Sequence, residues 1–254
     1  MDTKKLIIII VVSFLISGCY NQKLDSDQDS FDNDLTVKAA GELPWDFPVK
    51  PGTEGWKQFK TRQEMVDACQ IPAHLLSSLS TSDLTDICLG YPLLNNFVDY
   101  NGWNNGLDVL FEDFNGVREL FKREDASKEL VKRYRAKVEN LPASLAETGS
   151  TLRFMELEGL LSRYQAKSAA ANENYREILR NLAIGYGKKT MFPEYFGALS
   201  LGTNLFAATH IILKMYPQSI EMISSEELRI IYSGHLPGEE TFNIINELCN
   251  QLIQ

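Results

Sequence analysis

The chain has 254 residues, with 25 basic against 34 acidic side chains and a net charge of −9. That balance argues against nucleic acid as a partner, because a phosphate backbone needs a basic patch. Hydrophobic residues at 44% and charged residues at 23% are ordinary for a globular chain long enough to build a sizeable core.

The elements begin at the N-terminus. Lys4 and Lys5 precede an apolar stretch, residues 6–16, broken only by Ser13, and Ser17 and Gly18 stand before Cys19. Basic, apolar and small residues in that order form a secretory signal, and the apolar part is short of the roughly 20 residues of a bilayer span. Ile16-Ser17-Gly18-Cys19 resembles the lipobox of bacterial lipoproteins. The resemblance implies cleavage between Gly18 and Cys19, a diacylglycerol on the Cys19 thiol and acylation of the new amino group. Several acyl chains anchor stably where one is marginal. Tyr20, and not an aspartate, follows the cysteine, which within that family favours the outer membrane. The acidic residues just beyond resemble surface-export signals. The implied partner of this end is therefore the membrane, reached through lipid.

Residues 20–34 hold five Asp and one Lys without apolar periodicity. Such a stretch cannot bury enough surface to offset its ordering entropy, so a disordered, self-repelling tether is expected. Three prolines and two glycines in residues 42–56 read as the lead-in to a folded domain. The sequence thus divides into a signal peptide (1–18), a lipidated Cys19 with an acidic tether (19–47) and a globular domain (48–254).

Within that domain, helical signals follow almost without break. Thr61 caps a helix to about Cys69, Pro72 opens another to Leu79, and Thr81 or Ser82 caps a third that ends at Gly90. Apolar residues then recur at helical spacing through 107–121, 130–141, 152–164 and 175–184. Residues 195–216 and 239–252 complete the set. No sustained two-residue alternation appears, so the fold class expected is all-α: an irregular, superhelix-like array of many short helices.

Several stretches invite a functional reading. Residues 195–216 carry no charge before Lys214, but Ser200, Thr203, Asn204, Thr209 and His210 would be costly in lipid. A buried central helix explains them better, with His210 a satisfied core or rim histidine rather than a ligand. In "DYNGWNNGLD" (99–108) the calcium-loop pattern fails, because positions six and twelve from Asp99 are Asn104 and Leu110. Asn101 or Asn104 reads as a helix cap, and an exposed Trp103 beside these amides is a candidate to stack on a sugar. The mixed-charge run 118–137 reads as a solvated helix face.

No G-x-S-x-G, H-E-x-x-H, C-x-x-C or glycine-rich phosphate loop occurs, and His74, His210 and His235 lack signature neighbours. No metal site or cofactor is expected. Glu156 and Glu158 cannot share a helix face, although carboxylates distant in sequence can still meet in space. Cys69 and Cys88 end two short helices and are a candidate disulfide in an oxidising compartment; as the alternative, both are buried small hydrophobes. Cys249 is expected to be buried in the last helix.

"ACQIP" (68–72), "TSDLTDICLGYPL" (81–93) and "FNGVRELFKREDA" (114–126) resemble segments of a family of secreted and lipid-anchored all-α proteins from gut-type Gram-negative bacteria. The resemblance covers residues 50–135 and brings no activity with it. The function expected is a binding module at the outer membrane, with a protein, glycan or peptide ligand. The alternative is a carboxylate-dependent hydrolase of polysaccharide or peptide.

Overall fold

The computed structural model describes residues 43–146, 149–165 and 171–254. The expected signal peptide, with Gly18 and Cys19, and the expected tether as far as residue 42 lie outside them. Helices are the only regular elements among the described residues, so the domain is all-α. Most are short. They are α1 (Glu54–Lys57), α2 (Arg62–Ala68), α3 (Ala73–Leu76), α4 (Thr81–Leu89), α5 (Trp103–Asp113) and α6 (Asn115–Leu120). Longer ones follow: α7 (Ala126–Glu139), α8 (Ser150–Arg163), α9 (Ala171–Thr190) and α10 (Ala198–Met215), then α11 (Ser225–Tyr232) and α12 (Glu239–Leu252).

Hydroxyl caps start several of these. Thr61 Oγ1 accepts the Glu64 N–H at 3.2 Å, and Ser224 Oγ accepts the Glu227 N–H at 3.2 Å. For α4 the cap is Ser80, whose Oγ accepts the Asp83 N–H at 3.0 Å, and not Thr81 or Ser82. The Thr81 hydroxyl instead donates to Asp125 at 2.9 Å. Pro72 sits at the cap of α3 rather than inside it, and that helix stops at Leu76. Neither Asn101 nor Asn104 caps α5; Gly102, with φ of 102°, turns the chain into it.

Segments 68–72, 81–93 and 114–126 pack on one another. Asn115 accepts the Ile71 N–H at 3.0 Å and donates to the Ile71 carbonyl at 2.8 Å, so one amide stands in for a backbone partner. Gln70 donates to the Asp113 carbonyl at 2.8 Å. Arg123 donates to the carbonyls of Leu79 and Leu76, the open end of α3. Arg133 holds the Asp86 carboxylate through two bonds and Glu129 through its carboxylate and its carbonyl. The charge run 118–137 is therefore only partly a solvated face. Lys122, Lys128 and Lys132 are exposed, whereas Arg123 and Arg133 tie helices together.

Helix α10 is the centre. It packs along α8 and α9, while α11 and α12 cover its other side, and α7 lies against both α8 and α9. Its residues from Ser200 to Thr209 are all buried, as a central helix requires. Among the described residues no helix is long and apolar enough to cross a membrane.

Candidate functional site

Trp103 is 2% exposed and cannot serve as a sugar platform. Its ring packs edge-on against Phe97 and Phe206, at 5.9 and 5.6 Å between centroids. Gly234 seals it in: its φ is +74°, and a Cβ there would strike the indole. The amides around Trp103 made the stretch look like an open loop, but the indole points inward. Cys69 and Cys88 are not bridged; both are buried thiols. Burial pushes the Cys69 thiol up to about 11 and raises Cys88 further, so neither is a ready nucleophile. They fill the core as small hydrophobes.

Two polar constellations stand out, and sequence reading found neither. The first is fully enclosed. Glu158 on α8 accepts three bonds on Oε1: from Lys189 of α9 at 2.5 Å, Tyr134 of α7 at 2.8 Å and Asn204 of α10 at 3.0 Å. Asn204 Nδ2 also reaches the Tyr134 hydroxyl at 2.9 Å and the Leu182 carbonyl at 3.1 Å. Lys189 also donates to the Ser200 carbonyl at 3.2 Å. Glu158, Lys189 and Tyr134 have no exposed surface. Burial raises Glu158 and lowers Lys189, driving both toward neutral forms against their mutual attraction. A signal was available. Phe154, Leu157 and Leu161 set an i, i+3, i+7 stripe on which Glu158 fills the i+4 place, and Asn204 lies on the stripe of Leu201, Leu205 and Ala208. Glu156, two residues away, turns elsewhere, to Arg153 at 2.7 Å, and burial raises it to about 7.

The second constellation is open to solvent. A cleft of about 430 Å³ is lined by Asp108, Phe111 and Glu112 of α5, by Phe121, and by Arg163 and Gln165 at the end of α8. Asp108 and Glu112 stand one helical turn apart. Phe111 and Phe121 meet edge to face at 4.8 Å. Arg163 is drawn to Asp108 at 2.7 Å and donates to the Asn104 carbonyl. Behind it, Lys214 closes the C-terminal end of α8 by donating to the Ser162 and Tyr164 carbonyls, at 2.7 and 2.6 Å. Burial, with Arg163 nearby, lowers Lys214 to about 7, although those two carbonyls favour its charged form.

His210 lies one turn from Lys214, stacked on Tyr232 at 5.0 Å. It is a core histidine, but not a satisfied one, since its buried Nε2 has no hydrogen-bond partner. Burial, then the nearby Lys214 and Arg163, hold it down to about 3.

Comparison with protein families, with characterised proteins and with solved structures gives no match.

Proposed function

We propose that the chain is an outer-membrane lipoprotein, anchored through Cys19, whose helical domain is a non-catalytic binding module. The cleft between α5 and the end of α8 carries this reading. It combines two carboxylates with two phenyl rings on one open face. That chemistry suits a ligand with an apolar face beside hydroxyl or ammonium donors, such as a sugar ring or a basic peptide side chain. Arg163, itself part of the lining, holds Asp108 in place. Hydrolysis by two acids is the second reading, favoured by Asp108 and Glu112 standing one turn apart. The Asp108 side chain is 59% exposed, however, and lacks the desolvated surroundings that such chemistry uses.

The test is a screen of defined oligosaccharides and short peptides against purified protein, repeated with Asp108→Asn and Phe121→Ala. A bound class that each substitution weakens by about tenfold, on the order of 1.4 kcal/mol, supports the cleft. Equal binding by all three proteins removes the cleft from the account, and cleavage of a bound ligand replaces binding with hydrolysis.

A further inference from the structure

The enclosed constellation brings together three groups that can react with one another. Lys189 Nζ and Asn204 Nδ2 both donate to a single oxygen, Glu158 Oε1, so they lie no farther apart than those two bonds laid end to end. Lys189 Nζ also bonds the Ser200 carbonyl, one turn before Asn204 on the same face of α10. The surroundings are aromatic: Nζ is 5.2 Å from the centre of the Phe154 ring and 5.7 Å from that of Phe196. Water has no access, since Lys189 and Glu158 are 0% exposed and Asn204 is 1% exposed.

We propose that Lys189 and Asn204 form an intramolecular isopeptide bond, promoted by Glu158, that covalently joins α9 to α10. The Nζ lone pair attacks Cγ of Asn204 and a C–N bond forms. Glu158 gives its proton to Nδ2 and takes one from Nζ. The Cγ–Nδ2 bond then breaks, and Nδ2 leaves as ammonia. A primary amine and a primary amide become one secondary amide plus ammonia, and Glu158 ends protonated as it began. No oxidant, metal or co-reactant enters.

The environment favours each part of this step. A lysine nucleophile must be neutral, and complete burial lowers its proton affinity. The acid must hold a proton, and burial raises Glu158. Its second oxygen, Oε2, has no partner, which disfavours the ionised carboxylate further. Leaving nitrogen and acid are already hydrogen-bonded, so the helices hold the reactants in place before reaction.

The experiment is peptide mapping of the full chain isolated from cells that express it. Trypsin cuts after Lys188, Lys189 and Lys214, and a glutamate-specific protease cuts after Glu194 between the two partners. The proposal predicts that cleavage after Lys189 is lost. Segments 189–194 and 195–214 then stay joined, lighter by one ammonia than their separate masses together. Asn204→Asp should give the same link with loss of water instead, and Glu158→Gln should lose the joined product. Separate segments of unaltered mass from the wild-type chain overturn the bond. A link that survives in Glu158→Gln overturns the role given to Glu158.

Discussion

Gly185 has no side chain because Tyr134 takes the space: a Cβ there would strike the Tyr134 hydroxyl. That hydroxyl is one of the three donors on Glu158, so the glycine on α9 sets the geometry of the buried cluster. Gly185→Ala is expected to destabilise the domain by about 1–3 kcal/mol, as overpacking does, in a urea titration. His210 makes a second prediction at this scale. Its folded value is held at about 3, below the roughly 6.5 of an unfolded histidine. Its contribution is therefore complete above about pH 6.5 and is lost as pH falls toward 3, with a slope of up to about 1.4 kcal/mol per pH unit. Glu156, raised to about 7, acts in the opposite sense, losing stability as pH rises from its unfolded value. Comparing His210→Phe with the wild type between pH 7 and 4 cancels the Glu156 part. The variant keeps the stack on Tyr232 and should lose less stability on acidification; parallel curves would contradict the assignment.

The joints between elements depend on side chains that imitate backbone. Asn115 satisfies both the N–H and the carbonyl of Ile71, across 44 residues of chain. Asn115→Ala leaves both groups without that partner and is expected to cost about 1–3 kcal/mol, against about 1 kcal/mol for loss of the cap in Thr61→Ala. Hydrogen exchange at the Ile71 amide should accelerate in the first variant and not in the second. The elements themselves were largely legible. Long apolar stripes marked α7 to α10, and Thr61 with Glu64 is a capping pattern that needs no tertiary information. Ser80 was missed by one residue, because Ser80, Thr81 and Ser82 offer equivalent hydroxyls and only the fold sends Thr81 to Asp125. Helix α11 was overlooked although it was readable, since Ser224 and Glu227 form the same capping pattern as Thr61 and Glu64.

At the scale of the molecule, sequence periodicity indicates that α8, α9 and α10 each bury a face, but not which residues meet there. Tyr134, Glu158, Lys189 and Asn204 come from four helices, with 70 residues between the first and the last. Each sits on an otherwise apolar stripe, which is a readable sign of a buried polar group; its partner is set only by packing. The cleft is equally invisible in sequence, since Asp108 and Arg163 belong to separate segments. Trp103 shows the converse error: local polarity suggested exposure, and the distant Gly234 closed the indole in. The central proposal remains that this domain is held at the outer membrane by lipid on Cys19. Its most direct test is the mass of the N-terminal peptide of the protein extracted from its native membranes. The account predicts a chain that starts at Cys19 and carries a diacylglyceryl group on sulfur, lost together with membrane attachment in Cys19→Ala. A chain that starts elsewhere, with an unmodified Cys19 thiol or none, would contradict it.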